Sequence, residues 1–373
     1  MYDLHVVGAG PAGTFAAITA LREGKKVLLS EEHPQVGVPA HCSGLVSSSG
    51  LEQMKDVVDY RRIIRNTITR ANLHGHKQRM TLSFPYPKAY VIDRARLDQM
   101  AAEKYAEEGG KIEKGKKISE LSDLRSRLVV GADGPISTVA RLFNFPAIPA
   151  YASSWQGDYA YSSPDLSAVE VFFDQSWAPG FIGWVIPVSG EAAKIGLGVT
   201  KKGDLPRAKK KFLEHLHLSK ARPSAEFSAL IPLAVRKKTA GLVERSGRPV
   251  AEKSRAHYSV VLAGDAAGQV KASSGGGIFF GASCGRLAGR LAADAAEYER
   301  AWRHAYGSDL SMHRLLRSTL DVMPMWGLDA WLLGMRYARL DKWLISAGEM
   351  DQYSKMVTPR GLLAYAKTWL PVD

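Results

Sequence analysis

The stretch Tyr2–Glu32 constrains the fold more than any other, because it reads as one complete βαβ unit. Asp3–Val7 is a short apolar strand running into Gly8-Ala9-Gly10-Pro11-Ala12-Gly13. Thr14–Arg22 has helical composition, Gly24 stops it, and Lys26–Ser30 is a second strand ending at Glu31. The three glycines have separate jobs: a tight turn, close backbone approach to a pyrophosphate, and close packing of helix on strand. Phosphates would sit at the helix N-terminus, where the free N–H groups of Ala12 and its neighbours and the macrodipole favour negative charge. Glu31 falls where an acid hydrogen-bonds ribose hydroxyls. Glycine-rich turns are common, but the strand before, the helix after and the acid on the next strand make this one a dinucleotide site.

A chain of 373 residues holds about two to three folding units. Its 46% hydrophobic and 23% charged residues are those of a folded globular protein. Two cysteines, Cys42 and Cys284, argue against a disulfide framework and cannot ligate an iron–sulfur cluster or a cysteine zinc site, so no metal is expected. The first strand begins near residue 2, which leaves no room for a signal peptide, and no uncharged apolar run reaches ~18 residues. A cytoplasmic protein is expected. The net charge of +13 calls for an anionic partner. The basic clusters Lys114/Lys116/Lys117, Arg207/Lys209/Lys210/Lys211 and Arg236/Lys237/Lys238 are not interleaved with aromatics, as a single-strand nucleic-acid platform would be. Each alone reads as a solvated face; together they favour peripheral association with an anionic membrane surface over nucleic acid.

After Glu31 comes a Pro-, Gly- and Ser-rich loop, His33–Ser49, too long for a simple connector. Leu51–Tyr60 reads as helix; Thr67–Leu73, Met80–Phe84 and Ala89–Ile92 as strands; and Asp93–Gly109 as a helix with Asp93 at its N-cap. Leu128–Val130 is a buried strand running into Gly131-Ala132-Asp133-Gly134. From about Ala147 the chain is strand-rich (Val169–Phe173, Phe181–Pro187, Lys194–Val199, Ala225–Pro232), interrupted by a basic helix at Leu205–Leu216. His257–Ala263 is another buried strand, followed by Gly264-Asp265 and a glycine-opened helix, Gly277–Ala296. Tyr298–Asp373 reads as helical, with Trp302, Trp326, Trp331, Trp343 and Trp369. The expected architecture is therefore α/β composite. A Rossmann-like nucleotide domain is split between 1–146 and 251–297, a β-rich substrate domain is inserted at 147–250, and a helical region occupies 298–373.

Three separated pieces match one pattern: the βαβ unit, Leu128-Val129-Val130-Gly131-Ala132-Asp133-Gly134 with the following residues to Arg141, and Val260-Val261-Leu262-Ala263-Gly264-Asp265-Ala266-Ala267. The trio resembles the FAD-binding fingerprints of the para-hydroxybenzoate-hydroxylase-like flavoproteins. That resemblance implies FAD as cofactor, a site shaped by the GADG turn, and Asp265 hydrogen-bonded to the ribityl chain; it also places Arg94 against the cofactor. Ser273-Ser274-Gly275-Gly276-Gly277-Ile278 removes side chains where a helix begins, so backbone N–H groups at Gly277 and Ile278 can approach a ring that gathers negative charge on reduction.

Two further motifs choose a branch. Gly37-Val38-Pro39-Ala40-His41-Cys42-Ser43-Gly44-Leu45 resembles the cysteine loop of the geranylgeranyl reductase family (digeranylgeranylglycerophospholipid reductase-like), whose backbone at Cys42, Ser43 and Leu45 would lie along the flavin. Phe181-Ile182-Gly183-Trp184-Val185-Ile186-Pro187-Val188, seven residues, then Gly196-Leu197-Gly198 resembles that family's substrate-domain motif. Two departures, Ile182 where the family has an aromatic and Ser43 where Gly or Ala is usual, bear on the substrate more than on the class. The resemblance implies reduction of isolated C=C bonds in isoprenoid chains, most plausibly those of archaeal-type ether lipids. An alkene without an electron-withdrawing neighbour is a poor hydride acceptor. One carbon must be protonated as hydride reaches the other, in a dry pocket that positions the chain. Aromatic faces can stabilise developing positive charge: Phe181, Trp184, Phe279 and Phe280 are the candidates. Cys42 is the candidate proton donor, or else orients the chain. Met323, Met325, Trp326, Trp331, Leu332, Leu333 and Met335 form an apolar patch that would lid an isoprenoid tunnel or dip into a membrane interface. No second GxGxxG unit is present, so electrons would come from an external donor, NAD(P)H or ferredoxin. Two other readings share the sequence. One is a flavin monooxygenase or halogenase of the same fold, whose WxWxIP motif resembles the Trp184 segment but would have Trp at Ile182. The other is a basic flavoprotein that binds RNA or membranes without reductase activity.

Overall fold

The computed structural model describes residues 1–200, 203–246, 255–356 and 358–368. Its strands are β1 (Leu4–Val7), β2 (Val27–Ser30), β3 (Leu45–Ser47), β4 (Ile64–Ile68), β5 (Arg70–His74), β6 (Arg79–Ser83), β7 (Ala89–Ile92), β8 (Lys111–Glu113), β9 (Leu128–Gly131), β10 (Tyr151–Ala160), β11 (Ala168–Phe172), β12 (Gly183–Ser189), β13 (Ala192–Val199), β14 (Ala225–Pro232), β15 (Ala240–Ser246) and β16 (Arg255–Leu262). Its α-helices are α1 (Pro11–Arg22), α2 (Ser48–Glu52), α3 (Arg94–Glu107), α4 (Thr138–Leu142), α5 (Leu205–His215), α6 (Ile278–Leu291), α7 (Ala295–Val322), α8 (Met325–Tyr337), α9 (Leu340–Ala347) and α10 (Pro359–Lys367).

The first sheet runs β15-β16-β9-β1-β2-β8. β1 pairs in parallel with β2 and β9, β16 pairs in parallel with β9, and β15 is an antiparallel edge. Leu4–Val7 and Val27–Ser30 are buried at every position, because both faces of a parallel sheet are covered and no polar alternation survives. α1 and α6 supply Phe15, Ile18, Phe280, Cys284 and Ala288 to the core on one side. Cys284 is fully buried there, and burial pushes its thiol far up, so it stays a small apolar side chain.

The second sheet runs β14-β10-β13-β12-β11-β5-β6 and is antiparallel except where β11 meets β5. α5 covers one face, with Phe212 stacked on Trp177 at 4.6 Å between ring centroids. β3, β7 and β4 form a small third sheet. Sequence position and sheet membership do not coincide. β5 and β6 leave the N-terminal segment for the substrate-side sheet, and β15 returns from 147–250 to the nucleotide sheet. The 250/251 boundary read from sequence lies outside the described residues.

Three local readings change. Leu51–Tyr60, read as helix, is helical only at its start. Ser47 caps α2 by accepting from Gly50 N at 3.0 Å, and after Glu52 the chain turns, with Asp56 held by Arg22 and Arg286. The apolar spacing of Met54, Val57 and Val58 is met by those turns. Thr67–Leu73 is not one strand: the chain breaks at Thr69, where Thr69 N and Arg70 N both donate to Ser167 O at 2.9 Å, and β4 and β5 go to different sheets. β10 and β15 were not legible as strands. No helix among the described residues is long and apolar enough to cross a membrane.

Candidate functional site

The dinucleotide turn is built as its sequence requires. Gly8 has φ +97°, and a Cβ there would overlap the Ala132 carbonyl; a Cβ at Gly13 would overlap the Gly8 carbonyl. Gly10 differs: a Cβ there would meet nothing within 4 Å. Only its missing side chain keeps the space in front of α1 clear, which is what close approach of a pyrophosphate demands. Thr14 N is the first to return into the helix, to Gly10 O, so the N–H groups of Ala12 and Gly13 point out of the N-terminus. Glu31 is partly used by the protein itself. Its Oε2 accepts from Ala9 N at 2.9 Å, and Oε1 takes His33 N at 2.9 Å and meets His33 Nδ1 at 2.8 Å. One lone pair on Oε2 is left for a ribose hydroxyl.

Arg94, one residue inside α3 behind its Asp93 cap, draws together groups far apart in sequence. Its guanidinium pairs with Asp98 and faces Cys42 and Asp265. Burial opposes its charge, but these three neighbours together hold its pKa above the ordinary value. The arrangement is not saturated: Arg94 Nε and Asp98 Oδ1 are buried without a hydrogen-bond partner among the described residues. Burial pushes the Asp265 carboxyl up to about 6, with Arg94 pulling the other way. Orphaned groups of this kind beside an open helix N-terminus fit FAD: Asp265 would take ribityl hydroxyls, and Arg94 would take anionic oxygens of the cofactor. Gly277 lies against Asp265, a Cβ there falling 2.9 Å from Oδ1, and Ile278 opens α6.

The cysteine loop closes over the same place. Gly44 N donates to Cys42 Sγ at 3.4 Å, Leu45 N to Ser43 Oγ at 3.4 Å, and Gly44 O accepts from Ile92 N at 2.9 Å. His41 stacks on Phe227 of β14 at 5.3 Å, so the loop spans both sheets. Cys42 and Arg94 line one wall of a cleft of ≈ 630 Å³ whose other wall is the second sheet, at Asp158, Ala160 and Lys194.

The substrate motif also has a steric explanation. Trp184 pairs across strands with Gly196, and Ile182 O accepts from Gly198 N. A Cβ at Gly196 would lie 2.6 Å from the Trp184 indole, and one at Gly198 2.5 Å from the Phe181 ring. The Gly-x-Gly of β13 is therefore the bed for the two aromatics of the preceding segment. Trp184 donates its Nε1 to Gln156 Oε1 at 3.0 Å and joins two apolar clusters: one with Leu45 and Val91 from the cysteine-loop side, one with Phe181 and Ile182. Phe181 reaches 3.5 Å from the Cβ position of Gly275, next to the glycine run. Its ring already carries a cation, the Arg317 guanidinium at 5.5 Å, so Trp184 is the better face for positive charge. Phe279 and Phe280 do not join this group; they pack edge-to-face with each other and with Tyr306 in the nucleotide-side core. In the C-terminal patch, Met323, Met325 and Trp331 pack on the Phe181 cluster, whereas Leu332 and Met335 cover Met80 and Leu82 of β6. Leu333 is half-buried, and Trp326 is exposed.

A buried polar cluster beneath the glycine run escaped the sequence reading. Lys271 Nζ meets Asp351 Oδ1 at 2.7 Å, and Asp351 Oδ2 accepts from Ser47 Oγ. Burial works against the Asp351 charge, yet Lys271 outweighs it and holds the carboxyl below the ordinary range. His313 is pushed down to about 4, by burial first and by Lys271 second, and so is neutral at pH 7. Its Nε2 lies 3.2 Å from the Asp351 carbonyl, which can only accept, so Nδ1 is the bare nitrogen and takes the Ser273 hydroxyl at 2.7 Å. Lys271, just ahead of Ser273-Ser274-Gly275, was the one visible signal; nothing local marks Asp351 as its partner 80 residues on.

Residues 3–127 match the model of the FAD dependent oxidoreductase family. Over the whole molecule the chain is similar in structure to a geranylgeranyl bacteriochlorophyll reductase-like protein from Thermoplasma acidophilum, with a TM-score of 0.73 and 20% identity over 99% of this chain and 96% of that one. A flavin-dependent brominase shares the fold at a TM-score of 0.68 and 15% identity, over 98% and 99% of the two chains. Fold and site together define an FAD-dependent oxidoreductase. In sequence the chain is 29% identical to digeranylgeranylglycerophospholipid reductase 2 of Methanothermobacter thermautotrophicus, over 89% of this chain and 91% of the relative. It is also 29% identical to digeranylgeranylglycerophospholipid reductase of Methanocaldococcus jannaschii, over 88% and 89%. Over most of its length the chain is thus similar to digeranylgeranylglycerophospholipid reductases and shares the fold of a geranylgeranyl reductase-like flavoprotein.

Proposed function

We propose that this protein saturates isolated C=C bonds of geranylgeranyl chains carried on archaeal-type ether phospholipids. The observation that carries the reading is Trp184 seated on Gly196 while packing beside both Leu45 of the cysteine loop and Phe181. An apolar, aromatic surface thus meets the cofactor-side loop, where an unactivated alkene must lie. Bound FAD, once reduced, supplies the hydride. The chain's own residues do the rest. The Phe181–Trp184 wall excludes water and orients the alkene, and Trp184 offers its π face to the carbon that becomes positive. Cys42, half-buried beside Arg94 in the cleft, delivers the proton. An external donor, NAD(P)H or ferredoxin, reduces the flavin, and the enzyme works at the surface of an anionic membrane. Product mass is the test. Holoenzyme reduced with dithionite and given geranylgeranyl phospholipid should yield lipid with one hydrogen pair added per double bond; unchanged lipid mass would refute the activity.

A further inference from the structure

Of the basic clusters, the first is largely answered by carboxylates, Lys116 by Asp123 and Lys117 by Glu32, and in the second Lys209 is answered by Glu226 and Lys211 by the Ser176 carbonyl. The third is not. Where the chain leaves β14 it runs along α7, and Arg236, Lys237, Arg303, Arg314 and Ser311 line a hollow of ≈ 200 Å³. Arg303 is neutralised by Glu299, which Thr239 also holds. Arg236 is buried, with Nε donating to Ala266 O at 2.6 Å and Nη1 to Pro146 O, so carbonyls and no carboxylate hold it. Lys237 and Arg314 are exposed and have no carboxylate partner among the described residues. Three uncompensated cations from two segments therefore converge on a space smaller than the ~300 Å³ at which small-molecule pockets begin. It suits a compact anion, not an isoprenoid chain.

The same helix ends in an apolar tip. Leu315 is 68% exposed, Val322 83% and, across the corner into α8, Trp326 75%. At 100° per residue, Ser311, Arg314, Leu315, Ser318 and Val322 fall within about 100° of the circumference of α7. At 1.5 Å per residue, Val322 lies ~12 Å beyond Arg314 along the axis. Between 311 and 328 the charged side chains that reach solvent are Arg314 and, in part, Asp321, which Arg317 holds at 2.8 Å. An apolar tip one headgroup depth below a ring of cations has the layering of an anionic bilayer surface.

We infer that the α7–α8 corner is a membrane-docking surface: Val322 and Trp326 enter the acyl boundary, and the Arg236–Lys237–Arg314 hollow receives the phosphate of an anionic lipid. The inference rests on the lipid-substrate reading only for its purpose, and its test does not use the reaction. Full-length holoprotein is sedimented with phosphatidylcholine vesicles, with or without phosphatidylglycerol. Binding should need the anionic lipid, and Lys237→Glu/Arg314→Glu should weaken it by roughly 25-fold or more, each basic residue near such a surface being worth about fivefold. Trp326→Ser should weaken binding to the phosphatidylglycerol-containing vesicles, and millimolar glycerol phosphate should not displace the protein from them. Unchanged binding of the charge-reversed protein overturns the proposal. So does displacement by glycerol phosphate, which would make the hollow a site for a soluble anion, and so does unchanged binding of Trp326→Ser. Turnover of detergent-dispersed substrate, measured alongside, should be the same in all three proteins; its absence in all of them would count against the reductase reading alone.

Discussion

Replacing Asp265 by Asn separates what the carboxylate costs the fold from what it does for the cofactor. Asp265 titrates at about 6 in the folded protein because it is buried, against 3.8 for the free side chain. As pH rises from about 4, the unfolded chain releases this proton first, so the folded state loses stability until about pH 6 and then levels off. The gap between the two values corresponds to about 3 kcal/mol at neutral pH, and to roughly half of that at pH 5. Asn keeps the shape without the charge. Apoprotein carrying Asp265→Asn should therefore unfold in urea with up to about 3 kcal/mol more stability than the parent near pH 7.5, the advantage shrinking towards pH 5. The same variant should bind FAD more weakly, because a carboxylate takes ribityl hydroxyls better than an amide does. In the parent, FAD affinity should rise as pH increases from 5 to 7, as the carboxylate becomes charged. An advantage that is equal at both pH values, or an Asn variant less stable near pH 7.5, would refute burial as the cause.

Cys42→Ala should lower turnover by about 10²–10⁴-fold with flavin content unchanged, and Cys42→Ser should recover part of it; a full-rate Ala variant would reduce Cys42 to a shaping residue. Lys271→Met leaves Asp351 buried without its cation and should cost about 3–5 kcal/mol in urea unfolding, most of which Lys271→Met/Asp351→Leu should restore. Gly198→Ala drives a methyl into the Phe181 ring and should cost about 1–3 kcal/mol, recovered when Phe181→Leu makes room.

Local signals carried most of the fold. The strand–glycine turn–helix of residues 4–22 and the Asp93-capped α3 are where spacing and capping place them, since each is decided by neighbours in sequence. Cys42, Arg94 and Asp265, from three stretches separated in sequence, meet in the fold, Cys42 in the loop before β3, Arg94 just after β7 and Asp265 just after β16. What stayed hidden depends on distant partners. The break at Thr69 exists because Ser167 O claims two successive N–H groups, and no pattern around Thr69 predicts that. The role given to Phe279 failed for a related reason: on the periodicity of α6 it could face either side, and Tyr306 fixes it in the core. The C-terminal patch divides between core and solvent, and Asp351 anchors the same region to Lys271. Deleting everything beyond Asp321 would therefore remove the ion-pair partner of Lys271 as well as the apolar cover of β6.

The central claim is that reduced flavin in this protein delivers its electrons to an isoprenoid double bond. Holoenzyme reduced with dithionite under strict anaerobiosis, mixed with geranylgeranyl phospholipid and followed by flavin absorbance, measures that transfer directly. The account predicts reoxidation at a rate set by lipid concentration, without oxygen, and loss of that phase with the saturated lipid. Flavin that stays reduced beside unsaturated lipid and reoxidises only when air is admitted would contradict it, and would place the protein with the oxygen-using enzymes that share its fold.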